Sequence, residues 1–306
     1  MIHPCQTPLP LKSGDLLRVI APSGRLRDRV QLDRGIEIWQ KRGYRVEVAP
    51  AVTAGWGYLA GTDLQRREQL AAAWADPACR AILCVRGGYG GMRLLEDWQW
   101  GEITTPKWLI GFSDITALLW SLQRQGIVSV HGPLLTTLAD EPDWSQQRLL
   151  DLVTGQPLPP LQGDSWVGNV ARGRLLPCNL TVATHLLGTP FQPDFRGAIL
   201  AIEDVTEAPY RIDRLLTHWR LTGALSQLAG IAIGRFSQCD PLPGSFSFTV
   251  EEVLRDRLTD LHIPIVANLP FGHDGCNAAL PVGVEAVLDG NTGELRCEGK
   301  VLGFRL

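Results

Sequence analysis

The sequence predicts an α/β chain, in which an N-terminal doubly wound and mostly parallel sheet is followed by a smaller C-terminal α/β domain with mixed strands. Three observations predict it. Short strand-like apolar runs alternate with longer segments of helical period through the first half of the chain. A polar, Pro-rich stretch follows, and then the alternation resumes. Three Gly- or Ser-rich turns come directly after apolar runs, where the functional loops of an open parallel sheet belong.

Taken in order, residues 16–21 read as the first strand, ending at Pro22-Ser23-Gly24. Residues 26–42 are amphipathic, with Val30, Leu32, Ile36 and Trp39 expected on one face and Gly43 stopping the helix. Residues 44–49 give a second strand, and Thr62-Asp-Leu-Gln65 has the form of a capping box that opens a helix through Trp74. Residues 81–85 are a short apolar strand that runs into Arg86-Gly-Gly-Tyr-Gly90. Trp108 to Ile110 is a buried strand, residues 115–123 a helix, and residues 127–131 another strand. Residues 1–140 are thus expected as an N-terminal domain and 141–170 as a linker holding a short helix over 146–153. Residues 171–306 form the expected C-terminal domain. Its strands are predicted over 198–202, 231–236, 263–269, 282–288 and 294–297, with helices over 210–221 and 250–258.

Composition narrows the function. The 306 residues are 45% hydrophobic, enough for two cores. The net charge of −3, with charges interspersed, points to neither nucleic acid nor an anionic membrane surface. No apolar stretch reaches the roughly 18 residues of a membrane span. The first ten residues lack the basic and apolar regions of a secretory signal, so a cytoplasmic location is expected. Seven scattered cysteines without a C-x-x-C fit reduced thiols, with Cys84 and Cys178 as packing residues. No His, Cys and Asp cluster has convincing metal-ligand spacing, His273-Asp274 with Cys276 being too compact, so neither metal nor cofactor is expected.

The chemistry concentrates at Gly111-Phe112-Ser113-Asp114, between a strand and a helix. A serine on such a turn is held away from its own backbone, and the next N–H lies at a helix N-terminus that favours an oxyanion. This is the layout of a nucleophile elbow, although Ile115 stands where the usual G-x-S-x-G has its second glycine. A serine between a strand and a helix is also how many helices are N-capped. The backbone N–H of Asp114, with one from Gly87 or Gly88, would make the oxyanion hole. A serine nucleophile needs a base, and the base a carboxylate to orient it. His131 and His273 both end strands and compete for the base, while His3, His185, His218 and His262 read as terminal, helical or turn residues. Glu203 follows an apolar strand and is the preferred carboxylate, with Asp204 as the alternative. Arg86 and Arg211 are candidates to hold a substrate carboxylate, since a guanidinium can do so bidentately, or to form structural ion pairs.

Several motifs in order resemble the LD-carboxypeptidase family of serine peptidases. They are Val85-Arg-Gly-Gly-Tyr-Gly90, Gly111-Phe-Ser-Asp-Ile-Thr116, His131-Gly-Pro133, the stretch from Glu203 to Arg214, and Leu269-Pro-Phe-Gly-His273. Ile20-Ala-Pro-Ser-Gly24 and Leu280-Pro-Val-Gly283 extend the resemblance over nearly the whole chain. It implies a Ser113, Glu203 and His273 triad, with the serine in the N-terminal domain and the other two in the C-terminal one. It also implies a cytoplasmic homodimer that removes the terminal D-alanine of murein tetrapeptides during peptidoglycan recycling. Asn179 matches the family's G-G-N-L, but Pro177-Cys178 replaces both glycines, which puts substrate preference in doubt at a loop expected near the cleft. Two other readings are carried. A microcin self-immunity type of peptidase would cut peptidyl-nucleotides and need an aromatic loop residue, for which Trp166 is the candidate. A non-catalytic domain would only bind murein peptides.

Overall fold

In the computed structural model, which describes residues 5–298, the first strand-like run forms β1 (Leu16–Ile20). It is followed by α1 (Arg29–Lys41), β2 (Arg45–Val48), α2 (Asp63–Ala75) and β3 (Cys79–Cys84). Next come α3 (Gly91–Leu94), β4 (Trp108–Gly111), α4 (Thr116–Arg124), β5 (Ser129–His131), α5 (Leu135–Leu138) and α6 (Asp143–Thr154). The strands lie parallel in the order β5-β4-β3-β1-β2. The central ones are almost wholly buried, which is why they read as unbroken apolar runs. α1 begins at Arg29 because the Asp28 carboxylate accepts the Val30 N–H at 2.8 Å. Its buried face is Leu32, Gly35, Ile36 and Trp39, and Val30 is exposed. The expected grouping of Val30 with Leu32 fails because residues two apart stand about 200° apart around a helix. The predicted capping box forms at α2, with Gln65 N–H donating to Thr62 Oγ1 and Thr62 N–H to Gln65 Oε1.

The second half contains β6 (Leu161–Gln162), β7 (Asp164–Val167), β8 (Val170–Asn179), α7 (Leu180–Leu186) and β9 (Ile199–Val205). Then follow α8 (Pro209–Leu221), β10 (Gly230–Ser237), α9 (Val250–Leu258) and β11 (Ile265–Ala267). The chain then gives β12 (Leu280–Val282), β13 (Glu285–Asp289) and β14 (Glu294–Cys297). The second sheet runs β6-β14-β13-β8-β9-β10-β11-β7. β8, β9, β10 and β11 are parallel, and antiparallel strands flank them, so the mixed character is as predicted.

The described residues divide into two compact units. One runs to Pro157 and includes Ala278–Gly283; the other holds Leu158–Asn277 and the chain from Val284 onward. The stretch expected as a linker, 141–170, therefore splits: α6 belongs to the first unit, while β6 and β7 open the second. The strand predicted over 282–288 is two strands. β12 joins the first sheet against β5, and Gly283, at φ +94°, breaks the run before β13. Pro177 and Cys178, expected in a loop, lie inside β8 opposite Ala201 and Ile202. The proline is tolerated because this half of β8 pairs with β9, whereas the half before it pairs with β13. Among the described residues no helix is long and apolar enough to cross a membrane. His3 lies outside the described residues.

Candidate active site

Ser113 is built by the end of β4. Phe112 is extended at φ −147°, and the chain then turns so sharply that Ser113 adopts φ +62°. A non-glycine residue in this region stores strain, of order 1–3 kcal/mol, and is held there only when its surroundings leave no alternative. Here those surroundings are the 3-10 turn Ser113–Ile115 that leads into α4, and the turn after β3. A Cβ on Gly87 would stand 2.9 Å from Ser113 Cβ, 3.0 Å from its Oγ and 3.4 Å from the Asp114 nitrogen. The Gly87 backbone therefore lies directly against the serine and the N–H that follows it. Gly88 follows at φ +109°, a conformation that favours glycine. Gly24 N–H donates to the Gly87 carbonyl at 3.1 Å, which ties the turn after β1 to the same place.

Buried polar groups hold this backbone. Asp114 Oδ2 accepts the Gly91 N–H at 2.6 Å. Burial pushes the Asp114 carboxyl upward, against the Ser23 hydroxyl, the Gly91 N–H and the Arg66 charge. The wholly buried Arg66 donates to the carbonyls of Pro22 and Gly90, at 2.5 and 2.7 Å, and pairs with Asp63. The glycine-rich turns marked this region in the sequence, but Arg66 sits in a helical pattern and gave no such signal. Arg86 is half-buried and donates to the Arg25 carbonyl at 2.8 Å; burial lowers its pKa.

The second unit brings Glu203 and His273 together. Glu203 Oε2 and His273 Nδ1 are 2.6 Å apart, and the Glu203 side chain is wholly buried at the end of β9. Burial raises the Glu203 pKa, and the histidine opposes it. Burial pushes His273 downward, but Glu203, then Asp204 and Asp274, more than reverse this, and its pKa lies above the ordinary value. Asp204, the alternative carboxylate, does other work. Its Oδ2 accepts from the Thr181 N–H and hydroxyl, both at 2.8 Å, at the start of α7. Asn179 caps the same helix through Val182 N–H, and its amide donates to Glu203 Oε1 at 3.3 Å and Asp204 Oδ1 at 3.1 Å. The residue expected to bind substrate thus spends its amide on the two carboxylates. Its partners were hidden because the parallel register of β8 on β9, with Asn179 opposite Glu203, is a tertiary fact.

The other candidates are placed elsewhere. His131 is wholly buried, its ring 5.8 Å from that of Phe112. Arg211 is exposed on α8, near Glu207 Oε2 at 3.5 Å and Tyr210 OH at 3.2 Å. Burial raises the thiols of Cys84 and Cys178, which keeps them protonated as packing groups. Among the described residues no group of three or more His, Cys, Asp or Glu could hold a metal ion.

Comparison with known proteins agrees with these two halves. The LD-carboxypeptidase N-terminal domain matches residues 17–132, and the LD-carboxypeptidase C-terminal domain matches 172–288. A Synechocystis sp. chain, itself only provisionally named a carboxypeptidase, is 61% identical over 94% of this chain and 96% of its own length. The murein tetrapeptide carboxypeptidase of Pseudomonas aeruginosa is 34% identical over 89% of this chain and 92% of its own. Among solved structures, the muramoyltetrapeptide carboxypeptidase of Oxalobacter formigenes superposes with a TM-score of 0.80 at 29% identity, covering 92% of this chain and 97% of its own. The microcin C7 self immunity protein MccF superposes at 0.86 over 96% of this chain and 99% of its own, but at 21% identity that likeness speaks to the fold alone.

Proposed function

Because the chain belongs to the LD-carboxypeptidase family, we propose that it is a serine carboxypeptidase that releases the terminal D-alanine from murein tetrapeptides through Ser113, Glu203 and His273. The observation that carries the reading is the buried Glu203 carboxylate 2.6 Å from His273 Nδ1, the pairing that orients a general base.

In the proposed reaction Glu203 fixes the His273 tautomer, and His273 takes the Ser113 hydroxyl proton. Ser113 Oγ attacks the carbonyl between the L-centre of diaminopimelate and D-alanine. The N–H groups of Asp114 and of Gly87 or Gly88 hold the oxyanion, as the position of Gly87 against Ser113 supports. His273 then protonates the leaving amine, and water releases the acyl group. Of the two candidate cations for the free carboxylate, Arg86 is favoured, since it opens the turn that meets Ser113. Arg211 already has Glu207 beside it. A cytoplasmic homodimer acting in peptidoglycan recycling completes the reading.

Mass spectrometry of muropeptides after incubation tests it. Loss of one alanine from tetrapeptide is expected with the native protein and is nearly abolished by Ser113→Ala. Wild-type rates in Ser113→Ala would overturn the assignment. The peptidyl-nucleotide reading gains little, because the Trp166 ring already has the Arg255 guanidinium 4.0 Å over one face. An aminoacyl-adenylate analogue, offered in the same assay, is expected to stay intact.

A further inference from the structure

The loop that carries His273 also walls a cavity to which the proposed reaction assigns no role. The cavity measures about 260 Å³ and lies wholly within the second unit. Its walls come from the ends of β10 and β11, the start of α9, and Asp274, the residue after His273. The loop and β10 are stitched together. Arg235 N–H donates to the Phe271 carbonyl at 2.8 Å, and a Cβ on Gly272, at φ +140°, would meet Arg235 Cβ at 2.9 Å.

The lining is chemically specific. Arg235 shares the lining with three carboxylates, Asp240, Glu251 and Asp274, and of these Asp274 is its ion-pair neighbour. In this unit Arg220 forks closely onto Asp260, at 2.9 and 2.5 Å. Arg235 does not. Its Nε lies 3.4 Å from Asp274 Oδ2 and, among the described residues, makes no hydrogen bond. Ser237 Oγ, on the same strand, likewise has no hydrogen-bond partner among the described residues. Glu251 is held by Arg255 at 2.8 Å, and Asp240 Oδ1 accepts the Val250 N–H at 3.0 Å. Open bonding capacity therefore collects at Arg235, Ser237 and Asp274. Ile233, Val250 and Leu254 supply an apolar surface beside them.

We propose that this cavity, built by Arg235, Ser237 and Asp274, binds the zwitterionic amino-acid end of the substrate's diaminopimelate side chain. An ammonium alone would answer the surplus of carboxylates but leave the guanidinium loosely paired. A carboxylate alone would add to that surplus. A group with both on one carbon places its carboxylate on Arg235 and Ser237 and its ammonium on Asp274. In diaminopimelate that group is joined to the scissile centre by three methylenes, for which the apolar wall provides cover. The assignment rests on the murein-peptide reading above and adds the residues that choose the side chain.

Binding to the Ser113→Ala protein tests it without requiring turnover. Calorimetry would compare tetrapeptides carrying meso-diaminopimelate, the same residue amidated at its distal carboxylate, or L-lysine, which lacks that carboxylate. The first is expected to bind tighter than the other two by on the order of tenfold or more. Adding Arg235→Gln should weaken the first to the level of the others and leave those within about threefold. Equal affinity for all three peptides, or an equal loss across them in the variant, overturns the proposal. The amidated peptide gives its answer on the parent protein even if Arg235→Gln fails to fold. Release of D-alanine by the native protein is a separate measurement. Its absence would count against the proposed reaction, while the ranking of affinities would still decide the cavity.

Discussion

Glu203 Oε2 lies 2.6 Å from His273 Nδ1, and the carboxylate has no exposed surface. A charge buried this way is costly unless paired: burial raises the Glu203 pKa, and the histidine and the Asn179 amide act against that rise.

Because Glu203 and its neighbours hold His273 above the ordinary value of 6.5, the imidazolium persists to higher pH. A base must be neutral, so kcat/KM is expected to rise with pH along a limb centred above 6.5. Glu203→Gln removes the main raising charge while burial still lowers the pKa. The limb should then move to lower pH, with kcat down on the order of 10³- to 10⁴-fold. A pH profile in which the variant's limb stays in place would contradict this account.

Gly87→Ala should cost activity more than stability. Its Cβ would lie 2.9 Å from Ser113 Cβ and 3.4 Å from the Asp114 nitrogen, so the turn must retreat from the serine. Turnover is expected to fall on the order of 100- to 1000-fold, the loss typical of one oxyanion donor. Circular dichroism should show the fold retained. A variant with native turnover would remove Gly87 from the site.

The two inactive replacements of Ser113 should differ in stability. Alanine keeps the strain of φ +62°, whereas glycine adopts that conformation freely but loses more entropy on folding. Ser113→Gly is expected to be more stable than Ser113→Ala by about 0.5–1 kcal/mol in urea unfolding. The opposite order would mean that the turn relaxes in the alanine protein.

Asn179→Ala removes a helix cap and the amide shared by two buried carboxylates. A loss of about 2–4 kcal/mol is expected. Asn179→Asp should lose more at pH 8, where a third carboxylate joins the cluster, and recover in part at lower pH as a proton restores a donor. Denaturation midpoints across pH would show this; a pH-independent loss would not fit.

Much of this was legible locally. The apolar runs 16–21, 81–85 and 108–110 became β1, β3 and β4, and the capping box at Thr62 formed, because burial in a parallel sheet and helix capping leave short-range signatures. The elbow was visible as a serine between a strand and a helix, and tertiary packing then set it at φ +62° against Gly87. What stayed hidden was register and return. The polar edge strands β6 and β7 carry little apolar period, and β12 leaves one sheet's neighbourhood in sequence to join the other's sheet. Glu203 was preferred to Asp204 from the sequence, but the contacts that separate the two are tertiary. Adjacent residues on a strand point opposite ways, and only the pairing of β8 with β9 and the docking of the His273 loop on β10 decide which one meets the imidazole. Residue types and spacing thus determined the chemistry on offer. Long-range packing, which no local window contains, decided which groups stand within hydrogen-bonding distance.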